Sequence, residues 1–275
     1  RWTGVADERT HSSMVYPSAD QTKLTKELNV PQEYAYTDLV HLRNAYWINK
    51  SNTDSIKEMI LKHGAVAASY KHSESRSSNY VEGYDGPTVY YNDYNEGGNH
   101  AIAIVGWDDN FDKNNFKYTA INQDPVFLEA EISFIPKNNG AWLIKNSWGE
   151  SYGDNGYFWM SYEEASLANT IFAFEYEEAD NYDHIYQYDG SVGVRYESDD
   201  TITAAAVYQS TGNQVIEAVG IGIKSVETDY KVEIYTGLTD ASDPQSGKLS
   251  AQETGTTVFE GYHTIALEKY ATVAD

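Results

Sequence analysis

Apolar residues recur along this chain with two different periods. Between Asn52 and Gly64, residues Ile56, Met59 and Ile60 share one helical face, with His63 a turn further on. The spacing predicts a helix that Asn52 or Thr53 caps and Gly64 ends. Five apolar runs then read as strands: "AVAASY" (65–70), "HAIAIVGW" (100–107), "AWLIKNSWG" (141–149, strand into turn), "GYFWMSY" (156–162) and "TIFAFEY" (170–176). Residues 71–99, rich in Ser, Tyr, Asn and Gly, read as a long surface loop, and 108–139 as a polar excursion. Residues 1–50 are mixed and punctuated, which predicts loops, short helices and an extended arm. The pattern is a helix followed by an antiparallel, β-rich body.

The acidic stretch "EEADNYDH" (177–184) reads as a linker. Beyond it, "ITAAAVYQS", "VIEAVGIGIKS", "YKVEIYTGL" and "HTIALEKY" are short alternating strands with turn residues between them. No helical pattern interrupts them, and a β-sandwich or jelly roll is expected. The final "ATVAD" shows no closing strand, so this domain is expected to stop short. The expectation is an α+β chain with one domain over 1–178 and an all-β domain over 185–275.

At 275 residues with 41% apolar content, the chain can bury one large core or two ordinary ones. The 24 Tyr and 6 Trp suit β structure and surfaces that touch carbohydrate or peptide. Asp and Glu outnumber Lys and Arg by 42 to 19, a net charge of −23 that repels phosphate backbones and excludes nucleic acid as a partner. No window is long and apolar enough to predict a membrane span, and no signal peptide is visible at Arg1. There is no cysteine, hence no disulfide framework and no thiol nucleophile in the chain itself.

Of the seven histidines, His11, His41, His72, His184 and His263 lie in polar or loop contexts, and His63 at a helix end; these read as surface or structural groups. His100 differs. It follows Gly97-Gly98-Asn99 and opens an apolar strand, so it can face a cleft while the strand stays buried. The second element is "KNSWG" (145–149), where a buried strand ends in Asn146. An Asn amide oxygen can accept an imidazole N–H and fix its tautomer, and Trp148 can lie over that bond and exclude water. Taken alone, the same residues equally suit a turn-capping Asn146 and a core Trp148.

Together, "NHAIAIVGW" and "AWLIKNSWGESYGDNGYFWMS" resemble the papain-like cysteine peptidases, the second block through strand, Asn, Trp and Gly-x-x-x-Gly-x-x-Gly-Tyr-Phe. The resemblance covers roughly residues 1–176 and implies a two-lobed fold with the active site in the cleft, His100 as base and acid, Asn146 orienting it and Trp148 shielding the contact. By position in the motif, Ser69, Gly98, Asn99 and Ala101 would line the substrate side. More narrowly, "RWTGV", "VPQEYAYTD", "NHAIAIVGWDDNF" and "GAWLIKNSWGESYGDNGYFWMSY" are similar to secreted, surface-associated peptidases of Gram-positive anaerobes, of the clostridial cell-wall type. There a lectin-like β-domain follows the peptidase domain. The resemblance thus implies a protein or peptide substrate, a cell-wall glycan as partner of the β-domain, and a secreted, cell-surface location.

The departure is the nucleophile. In this family a Cys, with a Gln of the oxyanion hole, precedes the His on the helical lobe, and nothing upstream of His100 matches that segment. The chain is expected to be a papain-like β-rich lobe lacking its Cys-bearing part, inert alone and completed by an N-terminal part of the same gene product. The alternative is an inactive homologue serving adhesion or carbohydrate binding. No cofactor is required by this reading. "DDNFDKNNF" (108–116) begins like a calcium loop but lacks its Gly and Glu, and reads better as solvated. Asp183, Asp189, Glu197, Asp199 and Asp200 are candidates for a structural Ca²⁺ in the β-domain.

Overall fold

The computed structural model of the protein describes residues 40–80, 85–95, 97–121, 131–187 and 201–274. The expected loops and arm over 1–39, and Asp189, Glu197, Asp199 and Asp200, lie outside the described residues. The chain divides into two compact units, one of them over Tyr46–Phe174, the other taking in the described residues up to Ala45 and from Glu175 onward.

In the Tyr46–Phe174 unit, a helix and a sheet form around one buried face. Helix α1 (Thr53–His63) begins at Asn52, whose side chain accepts the Ser55 N–H at 3.3 Å, and ends at Gly64 in the left-handed region, its N–H on Ile60 O. Its buried face is the expected Ile56, Met59 and Ile60, set against β2 (Val66–Tyr70) and β4 (His100–Asp108). The remaining strands here are β3 (Val89–Tyr90), β7 (Ala141–Lys145), β8 (Tyr157–Ser161) and the start of β9 (Thr170–Glu178). Within the unit the sheet runs β9-β2-β4-β7-β8-β3, antiparallel except for β3 on β8. Alternation does the sorting. Val66, Ala68 and Tyr70 of β2 and Ile102 and Ile104 of β4 point inward, while Ala67, Ser69, Ala101 and Ala103 point the other way.

Two expectations for this unit need correction. The stretch 71–99 is not all surface: Ser77, Tyr90 and Asn92 are buried, because β3 joins the sheet and brings its polar flanks inside. The excursion 108–139 is not all loop either. It contains a hairpin of β5 (Tyr118–Ile121) and β6 (Glu131–Phe134). Its acidic start is occupied by the protein itself: Asp108 accepts from Asn110 N, Asp112 from Asn114 N, and Asp109 from Lys57 and Tyr162. Among the described residues, no group of three His, Cys, Asp or Glu is placed to hold a metal ion.

The second unit carries β10 (Gln214–Ile223), β11 (Thr228–Thr236), β12 (Lys248–Thr257) and β13 (Glu260–Val273). The β10–β13 and β11–β12 ladders enclose Val232, Ile234, Ala251, Leu267 and Ala271, with Ile216, Val219 and Ile221 packed on them. This is the β-sandwich the alternation predicts. Details differ from the expectation. "ITAAAVYQS" forms no strand, while β12 was unforeseen because "KLSAQETGTT" is mostly polar and pairs through its backbone. The "ATV" near the end belongs to β13, which pairs with β10 out to Val273. The proposed linker begins as strand: β9 runs through Glu178, with Glu175 and Glu177 held by Asn44, Arg43 and His41 of β1 (Val40–Asn49).

Glu164, between β8 and β9, is almost fully buried and accepts from Asn92 N at 2.6 Å, Ser166 N at 2.9 Å and the Ser166 hydroxyl. Burial raises its pKa from 4.5 to about 7, against the pull of those donors and of Lys50. Between these two values the folded chain holds a proton that the unfolded chain has released, so stability falls as pH rises through that window. Glu164→Gln removes this dependence. Denaturant midpoints of wild type should therefore fall relative to the variant from pH 4.5 to about 7, and a constant difference would show that Glu164 titrates normally.

Candidate active site

His100 is the first residue of β4 and pairs with Tyr70 at the end of β2. It stands on the buried face, one step beyond the last well-covered position, which makes it half-exposed. Asn146 is the first residue past β7, and the pairing of Ala103 with Lys145 brings it beside the start of β4. The register therefore delivers two side chains that lie 46 residues apart in sequence to one place, with His100 Nε2 2.8 Å from Asn146 Oδ1.

The tautomer follows from a second contact. Asn146 Oδ1 also accepts the backbone N–H of Ser147, at 2.8 Å. A backbone N–H only donates, so this end of the amide is the oxygen, and His100 Nε2 must carry the proton that it accepts. In the neutral ring, Nδ1 is then the lone-pair nitrogen. Asn146 is only 8% exposed, and its Nδ2 is buried without a partner among the described residues. Such a donor costs about 1–3 kcal/mol. A turn-capping role alone gives no reason to bear that cost; aiming the oxygen at His100 does.

Trp148 stacks on His100 with ring centroids 4.5 Å apart at 25°. The turn that presents it depends on glycine. Gly153 and Gly156 have φ of 56° and 89°, and a Cβ on Gly153 would lie 2.4 Å from Tyr157 O. Asn146 N–H donates to Gly156 O at 2.9 Å, closing the turn behind the indole.

The structure brings His100, Asn146 and Trp148 together. Of the residues read as substrate-facing, Ser69 and Ala101 are paired across β2 and β4 on the opposite sheet face from His100. Gly98 lies over Ser69, where a Cβ would sit 3.1 Å from Ser69 Oγ. The Asn99 side chain is turned to the main chain of residue 72: it accepts from His72 N at 2.7 Å and donates to His72 O at 3.2 Å.

The residue that sequence reasoning passed over is His72. Its ring meets Trp148 edge-on at 4.6 Å, stacks on Tyr90 at 5.5 Å and lies 6.4 Å from the His100 ring. Nothing in "SYKHSES" signals this, because the segment is polar and is held at the site by Asn99, Tyr70 and Tyr90. Burial, and then the neighbouring His100, lower the His72 pKa from 6.5 to about 4. The unfolded chain takes up this proton near pH 6.5 and the folded chain only near 4, so stability falls as pH drops through that interval and levels off below it. Wild type should lose denaturant midpoint relative to His72→Phe over this range; parallel curves would show that the ring titrates as in the unfolded chain.

The family model described as papain family cysteine protease matches residues 3–174, and that of the lectin-like domain matches residues 185–275. Clostridial cysteine protease Cwp84 after propeptide cleavage is similar in structure, with a TM-score of 0.68 and 24% identity over 98% of this chain and 61% of that one. So is a structure of the cysteine protease and lectin-like domains of Cwp84, a surface layer associated protein of Clostridium difficile, with a TM-score of 0.67 and 23% identity over 98% of this chain and 54% of that one. At these identities the likeness speaks to fold. This chain thus spans less than two thirds of either protein's length.

Proposed function

The chain belongs to the papain family of cysteine proteases and carries a lectin-like domain, and from that premise we propose that it supplies the base side of a Cys-His-Asn triad in a cysteine endopeptidase. The observation that carries this reading is the Asn146–His100 hydrogen bond under Trp148, which leaves His100 Nδ1 as the proton acceptor. The chain contains no Cys, and on this reading the thiol is supplied from outside it. His100 Nδ1 takes the thiol proton, the thiolate attacks the peptide carbonyl, and the same nitrogen returns the proton to the leaving amine. Asn146 holds the ring through both transfers, and Trp148 keeps water off the holding bond. Ser69, Gly98, Asn99 and Ala101 are assigned to the substrate side only by their place in the motif; Ser69 and Ala101 stand on the sheet face opposite His100, and the Asn99 side chain is engaged with the main chain of residue 72.

The chain alone should hydrolyse no peptide, while the gene product that contains it should. His100→Ala in that product should cost roughly 10²–10⁴-fold in kcat/KM, measured with a fluorogenic peptide. A gene product with no cysteine at the nucleophile position, and no hydrolysis, would leave the alternative: an inactive homologue that acts in adhesion. The missing cysteine in this chain is the observation on that side.

The family model of the second domain, together with the likeness to a surface layer associated protein, supports a secreted, cell-surface protein whose sandwich binds wall glycan. Binding of the whole chain to a glycan array and to purified cell walls is expected. A blank array together with no wall retention would remove the glycan partner from the reading.

A further inference from the structure

We infer that His72 is a positioning residue of this site, an imidazole built in to hold Trp148 over the His100–Asn146 bond. The inference rests on the peptidase reading but on different contacts. Residues 71–73 belong to no helix or strand, yet side chains hold their main chain from several directions. Tyr90 Oη donates to Lys71 O at 2.5 Å and accepts from Ser73 N at 3.1 Å. Ser166 Oγ accepts from Lys71 N at 3.1 Å and is itself bound by the buried Glu164. The Asn99 side chain takes both the N–H and the C=O of His72, and Asn99 directly precedes His100. The backbone that carries the proposed base and the backbone that carries His72 are thereby clamped to each other.

The ring is held as firmly as its backbone. His72 Nδ1 lies 2.8 Å from the hydroxyl of Tyr70, which is wholly buried and pairs with His100 across the ladder. Tyr90 covers one face of the imidazole. The ring also meets Trp148 edge-on at 4.6 Å, nearer than any other ring contact it makes among the described residues, and Tyr152 meets the same indole edge-on at 4.9 Å. Trp148 is thus confined by His72 and Tyr152 while it stacks on His100. A phenylalanine could fill the same space but would leave the buried Tyr70 hydroxyl without the imidazole nitrogen. A side chain held by Tyr70 at Nδ1 and by Tyr90 on one face, with its edge against the indole, is suited to holding that indole in place.

The readout is the shielding of the Nε2 proton. Proton exchange at His100 Nε2 is followed by NMR in the whole chain, for wild type, His72→Ala and His72→Phe. His72→Ala should accelerate this exchange about tenfold while the amides of β4 and β7 exchange as before. His72→Phe, which keeps the ring edge and loses the bond to Tyr70, should fall between. Equal exchange in all three proteins overturns the inference, as does an acceleration that appears only together with faster amide exchange throughout the sheet. Hydrolysis by the parent gene product bears on the peptidase reading instead: its absence would count against that reading, and the exchange comparison would still decide the role of His72.

Discussion

The site depends on the antiparallel register between β4 and β7. His100 begins one strand and Asn146 follows the end of the other, and the pairing from Ala103–Lys145 to Asp108–Ala141 sets where both fall. A slip of one residue would turn His100 to the opposite sheet face and carry Asn146 out of reach. The register is secured by burial of Ile104, Ala141, Trp142 and Ile144, each almost wholly inside. At the far end of β4, Lys57 reaches from α1 to Asp109, and Tyr162 donates to the same carboxylate. Apolar burial thus does the aligning, and the polar pair inherits its geometry from it.

Side chains rather than secondary structure then complete the site. The segment 71–73 lacks a ladder, so its backbone groups are met by Tyr90, Ser166 and Asn99. These supports carry charge costs of their own. Glu164 is held with its pKa raised to about 7, and His72 with its pKa lowered to about 4. Both shifts arise mainly from burial, and both move the group toward its neutral form. The Asn146 amide adds a buried donor without a partner among the described residues. Costs of this kind concentrate where a fixed geometry matters more than the last increment of stability.

The second unit is organised on another principle. Its two ladders are long and partly polar, and its core is a thin layer of Val232, Ile234, Ala251, Leu267 and Ala271. Strands such as β12 are held by backbone pairing along their whole length, with few inward side chains.

The sequence alone determined the helix from its caps and face, the strands that carry His100 and Asn146, and the sandwich after residue 185. These were legible because they rest on local chemistry: an Asn that accepts its helix N–H, a Gly with positive φ, and strict alternation where one face is buried. His100, Asn146 and Trp148 were singled out too, through two sequence blocks that resemble a known family, although His100 and Asn146 lie 46 residues apart and only the register brings them together. Tertiary structure decided what depends on distant partners. Polar β12 became a strand because β11 offered it a ladder. "ITAAAVYQS" alternates as a strand should and has no ladder. His72, in a segment with no periodic signal, reached Trp148 because Asn99, Tyr70 and Tyr90 hold it there. Hydrogen bonds and ring contacts between residues far apart in the chain leave no mark on local pattern, and only the folded register brings them together.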